Sequence, residues 1–139
     1  AEHTIDGLEG WCELVTDPAV IFRGGPVADD AVIGLARFEG GAPVSFWSAI
    51  ADGIGTLDLS TAPDDRHLRP EEVRLYRAYS GWGPGQLDEE LANEAWLVLE
   101  ALADDVFCRR PDELWRNVLR RQGGRLAWLA EAPDDLSSN

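Results

Sequence analysis

The chain has 139 residues, 45% of them hydrophobic, and sets 26 acidic residues against 12 basic ones for a formal net charge of -14. That length holds one domain with a real core, the apolar content excludes a disordered chain, and without a run of about 18 apolar residues no helix would span a bilayer. All the basic residues are arginines, and so acidic a balance argues against nucleic acid, whose affinity is built on cations neutralising phosphates.

Gly7 to Val15 reads as a short helix with Leu8, Trp11, Cys12 and Val15 on one face, stopped by Asp17-Pro18. A strand is expected over Ala19–Phe22, closed by Gly24-Gly25-Pro26, and a second over Ala31–Phe38 after a turn at Asp29-Asp30. Glu39 to Pro43 reads as a loop. Phe46 to Ile50 is ambiguous, whereas the alternation from Ile54 to Leu59 suits a strand. Pro70-Glu71-Glu72 suggests one helical turn, and Val73–Tyr79 a strand with Val73 and Leu75 on one face. A glycine-punctuated turn follows, then a helix from about Pro84 to Ala95. Its start suits a proline in the first turn and acids against the helix dipole, and Leu87, Leu91 and Ala95 form its apolar stripe.

Trp96–Leu99 reads as a further strand and Ala103–Cys108 as a loop or short turn. Pro111–Gln122 is the clearest helix, with Leu114, Trp115, Val118 and Leu119 inward, and Gly123-Gly124 stops it. Residues 131–139 read as a frayed tail. Strands and helices alternate irregularly with no repeat, so the expected class is α+β within a single domain spanning 1–139.

Few residues announce chemistry. Ser80 between a strand and a helix invites comparison with a nucleophile elbow, but Ala78 and Trp82 stand where that turn needs glycines, and His3 and His67 both precede the serine. The turn Gly81–Gly85 could cradle a phosphate at a helix start, yet Asp88, Glu89 and Glu90 follow at once and would repel it. The histidines have no ligand-spaced neighbours, and Asp29-Asp30, Asp64-Asp65 and Asp104-Asp105 lack a calcium-loop pattern, so no catalytic, cofactor or metal residue is assigned. Cys12 and Cys108 form no CxxC pair and are expected as separate, buried or inert thiols. Trp82 is expected as a plug for the core, aimed inward by its glycines. The other conspicuous group is a basic patch of Arg109, Arg110, Arg116, Arg120, Arg121 and Arg125, which reads either as helix C-terminal compensation or as a contact surface. No secretory core opens the chain, which favours the cytoplasm.

Taken together, Gly24-Gly25-Pro26-Val27 with Asp30, the run Tyr79-Ser80-Gly81-Trp82 with Gly85-Gln86-Leu87-Asp88-Glu89-Glu90, then Asn93, Trp96-Leu97 and Leu114-Trp115, resemble the YqgE/AlgH proteins of bacteria. The stretch Leu119-Arg120-Arg121-Gln122 and Leu136-Ser137 look like the actinobacterial branch. The family's opening segment, with Asp-Pro-x-Phe, His-x-x-x-Gly and Asn-x-Pro elements, has no counterpart before Ala1, so the chain looks like the family domain without its first strands.

The resemblance implies a branched, partly barrel-like sheet surrounded by helices in a cytoplasmic protein. It brings no agreed catalytic residues, and the AlgH name implies a transcription-related regulatory role in alginate production. The expectation is therefore a non-enzymatic protein acting through protein or small-ligand contacts, with a homodimer as one form such contacts could take. Its surface would be Gly24, Gly25, Pro26, Tyr79, Ser80, Gly81, Trp82, Gly85 and Gln86. The alternative is a small-molecule or nucleotide-binding domain, or an enzyme, whose site needs the missing opening segment.

Overall fold

The computed structural model describes residues 5–39, 45–61, 63 and 69–132. In chain order these form α1 (Ile5–Cys12), β1 (Ile21–Arg23), β2 (Val27–Arg37), β3 (Trp47–Ala51), β4 (Ile54–Leu57), β5 (Glu72–Tyr79), α2 (Gln86–Ala92), α3 (Ala103–Val106), a 3-10 turn (Pro111–Glu113), α4 (Leu114–Gln122) and α5 (Gly124–Ala130). The strands make one mixed five-stranded sheet in the order β1-β5-β2-β4-β3, and the α+β class holds. Among the described residues β1 against β5 is the one parallel pairing; the others are antiparallel.

β5 organises both sides of the sheet, because successive side chains point to opposite faces. Val73 and Leu75 on one face are fully buried and join Trp11, Ala36, Phe38, Leu57 and Leu59 in the main core. Trp11 comes from α1, touches the Phe46 ring with centroids 5.6 Å apart, and donates its indole N–H to the Thr61 carbonyl at 2.8 Å. Thr16 fastens the segment after α1 to β5: its N–H donates to the Val73 carbonyl at 2.8 Å, and its hydroxyl accepts from the Val73 N–H at 3.0 Å. On the other face lie Arg74 and Tyr76, with Phe22 of β1 beside them at 6.0 Å from the Tyr76 ring.

Several expectations need correction. Cys12 is exposed rather than on the buried face of α1, and both cysteines are free. The Asp29-Asp30 turn is part of β2, where the register slips between Val27 and Val32, and Glu72 is strand rather than helical turn. No strand forms at Trp96–Leu99, because that segment leaves the sheet and has no partner to donate to. The Ala103–Cys108 turn is helical, and Gly123-Gly124 ends one helix only to begin the next. Trp115 faces solvent. Most of the Glu39–Pro43 loop, and residues 133–139 of the tail, lie outside the described residues.

Candidate functional site

Parallel pairing of β1 with β5 (Phe22 opposite Tyr76, Arg23 opposite Arg77) makes both strands finish at the same end of the sheet. The chain leaves β1 as Gly24-Gly25-Pro26 and leaves β5 as Ser80-Gly81-Trp82, so two blocks far apart in sequence become neighbours. The Gly24 N–H donates to the Arg77 carbonyl at 2.7 Å, and Val27 at the start of β2 pairs with Tyr79. The crossing admits no side chain. A Cβ on Gly24 would run into the Ala78 carbonyl, and one on Gly25 into the Ser80 hydroxyl and the Tyr79 backbone. Ala78 itself is buried in the left-handed region at φ 62°, a conformation that costs a non-glycine residue about 1 kcal/mol or more.

Beyond the crossing, Gly85 at φ 77° opens α2, and Asp88 and Glu89 occupy the first turn where they offset the dipole. The helix then supplies a hub. Glu90 accepts hydrogen bonds from the Trp82 indole at 3.0 Å, the Trp96 indole at 2.7 Å and the Gln86 amide at 3.0 Å. Gln86 turns its own oxygen to the Gly83 N–H at 3.0 Å, so turn, helix and following segment are tied through one side chain. The two indoles meet edge to face at 6.0 Å, a favoured aromatic geometry. The Trp96, Trp82 and Gln86 donors, in that order, hold the Glu90 carboxyl below the ordinary glutamate range, because hydrogen bonds to the charged form favour it.

Trp82 is therefore not a core plug. It is 42% exposed and Trp96 50% exposed, and α2 buries none of its residues, which also removes the inward stripe expected of Leu87 and Leu91. The glycines fix the backbone of the turn, but nothing among the described residues roofs the indole. The result is a water-facing pair of indoles in contact with each other, with Tyr79, Leu97 and Val98, close to them in sequence, exposed as well.

The arginines stand apart from this turn and are largely engaged with carboxylates. Arg109 lies 3.8 Å from Asp17, Arg110 3.1 Å from Glu113, and Arg120 2.7 Å from Glu131. Arg121 grips both oxygens of Asp105 and donates to the Glu100 carbonyl at 3.1 Å. Arg116 acts on Glu131 electrostatically, and Arg125 is exposed. Much of the group's charge is spent tying the C-terminal helices together. Among the described residues no three His, Cys, Asp or Glu side chains gather where they could hold a metal ion; His3, His67 and Asp64-Asp65 lie outside those residues.

Sequence reasoning missed Glu90 as the hub, although its four-residue spacing from Gln86 puts both on one helix face. It also missed Arg74, which is 2% exposed in the middle of β5. The signal was there: an arginine between Val73 and Leu75, in a strand paired on both sides, has no route to solvent along the sheet.

A family model described as AlgH-like matches residues 2–127. The chain belongs to the AlgH-like family. Among AlgH-like relatives, a UPF0301 protein of Streptomyces avermitilis is 44% identical over 138 residues, covering 96% of this chain and 72% of that protein. A UPF0301 protein of Streptomyces coelicolor is 43% identical, with 96% and 72% covered. A crystal structure of a Corynebacterium diphtheriae protein superposes with a TM-score of 0.80 at 27% identity, over 95% of this chain and 70% of that one. The solution structure of the AlgH protein from Pseudomonas aeruginosa matches with a TM-score of 0.56 at 24% identity, over 81% and 59%, and supports the AlgH-like fold alone.

Proposed function

We propose that this AlgH-like protein is a non-enzymatic, cytoplasmic protein with a transcription-related regulatory role, exerted by gripping a partner protein at the indole turn. The observation that carries the reading is the Glu90 hub, which holds two half-exposed indoles in fixed positions. Exposed aromatics cost affinity when they must be ordered on binding, and these are ordered beforehand. Aromatic side chains in the centre of a patch are the usual anchors of protein interfaces. The charges of the segment between the two indoles define the partner: Asp88 and Glu89 on α2 and Glu94 just after it are exposed, so it offers an apolar centre with a basic rim. No helix among the described residues is long and apolar enough to cross a membrane.

Photocrosslinking in cells tests this. A crosslinker at Leu97 should give a discrete protein adduct that weakens with added salt and disappears in Trp82→Ala, while a crosslinker at exposed Ile50 on β3 gives none. Trp82→Ala should keep its melting temperature. The same adduct from both positions, or none from Leu97, would defeat the proposal, and an adduct of twice the chain's own mass would reassign the surface to a homodimer.

A further inference from the structure

A second site lies on the opposite side of β5 from the main core. Phe22, Arg74, Tyr76, Asp105, Val106, Pro111 and Leu114 line a pocket of about 280 Å³ that is open to solvent, near the lower bound for small-ligand pockets. Arg74 is its unusual member. Arg74 is 2% exposed, and among the described residues its guanidinium donates to backbone carbonyls alone: Val106 at 3.1 Å, Cys108 at 2.8 Å and Asp17 at 3.0 Å. It stacks over the Phe22 ring at 5.0 Å. Its Nε–H is buried without any partner.

Buried charges in folded proteins are paired, because desolvating a lone ion is costly. The carboxylate lining the cavity, Asp105, does not pair with Arg74. Both of its oxygens are taken by Arg121, and one also accepts the Leu102 N–H at 2.8 Å. Among the described residues, the lining with Arg121 included thus carries one positive charge without a carboxylate, and charge-assisted hydrogen bonds between guanidinium and carboxylate are among the strong ones. Around that charge the walls are apolar: Phe22, Tyr76, Val106, Pro111 and Leu114.

We infer that this cavity binds a small monocarboxylic acid with an aromatic body, its carboxylate on Arg74 and its ring against Phe22, Tyr76 and Leu114. One negative charge matches the one lining cation that has no carboxylate among the described residues, and the apolar walls reject inorganic anions that bring no surface to bury. The inference is independent of the indole turn and survives its failure.

Calorimetric titration of the 139-residue chain with phenylacetate, phenylacetamide and inorganic phosphate tests it. Phenylacetate should bind and shift the NMR signals of Phe22, Tyr76 and Leu114. The neutral amide should bind about ten-fold or more weakly, the loss expected when a charge-assisted hydrogen bond is removed, and phosphate should not bind. Leu114→Trp, which fills the cavity and leaves Arg74 in place, should abolish phenylacetate binding; should that variant not fold, the NMR shifts locate the site. Equal binding of acid and amide, phosphate binding as well as phenylacetate, shifts confined to other residues, binding retained by folded Leu114→Trp, or no binding of phenylacetate would each overturn it.

Discussion

Trp11 and Trp82 are both satisfied indoles in contact with another aromatic ring, yet one is 0% and the other 42% exposed. Trp11 gives its N–H to a backbone carbonyl at 2.8 Å and lies under the sheet; Trp82 gives its N–H to a carboxylate at 3.0 Å and lies against water. Glycines beside Trp82 determine which way its backbone turns. Depth is decided by what comes next in the chain, and after α2 the segment around Trp96 stays at the surface instead of covering the turn.

The largest effect that would break this comparison is on stability. Trp11→Ala should lose about 3–5 kcal/mol by urea denaturation, the range for emptying a packed interior, whereas Trp82→Ala should lose less than about 1 kcal/mol, as exposed changes do. Equal losses would mean that the turn is roofed in solution.

A middle-sized effect separates the crossing from the turn beyond it. Gly25→Ala must push a methyl into the Tyr79 backbone and should cost about 1–3 kcal/mol, as overpacking does. Gly81→Ala meets no atom within 4 Å and should stay within about 0.5 kcal/mol of the parent. A neutral Gly25→Ala would show that β1 and β5 do not close together as described.

The smallest effect is on acid titration and sharpens the contrast directly, since a backbone carbonyl does not titrate and Glu90 does. Its folded-state carboxyl is held below the ordinary range, so the stabilisation is fully present above about pH 4.3, the unfolded glutamate value, and is lost as pH falls through the folded one. Acidification should release the Trp82 and Trp96 indole N–H signals in NMR spectra while that of Trp11 stays, and Glu90→Gln should remove the pH dependence of that release. Indole signals that respond together would break the comparison.

These residues also show how far the fold is legible from the chain. Alternation placed Val73 and Leu75 on the core face and spacing placed Trp11 in it, because burial on one face leaves a period in the sequence. The acids in the first turn of α2 were readable from local chemistry, but Pro84 stands ahead of the Gly85 cap rather than in that turn, and the helix ends at Ala92, short of Ala95. What failed was anything set by a distant partner: among the described residues, Trp96–Leu99 has strand composition but no strand to pair with, and Trp115 has a helical inward position but is left 56% exposed. Arg74 and Glu90 were overlooked for the same reason, since a single charged residue carries no period. The nearness of Gly24-Gly25 to Tyr79-Ser80 follows from the β1 and β5 pairing, which neither segment encodes alone.

The slip in β2 bears on how the chain can vary in length. Residues 28–31 lie between two paired positions, Val27 and Val32, whose partners Tyr79 and Arg77 are separated only by Ala78. The excess on β2 includes exposed Ala28, Asp29 and Asp30, where chains tolerate insertion and deletion. Ala78 is buried and left-handed, and a residue gained or lost there would re-aim Tyr79 and everything after it. Gaps between aligned relatives should therefore gather at 28–31 and spare Ala78, so that the aim of the aromatic turn is inherited even where the opposite strand drifts.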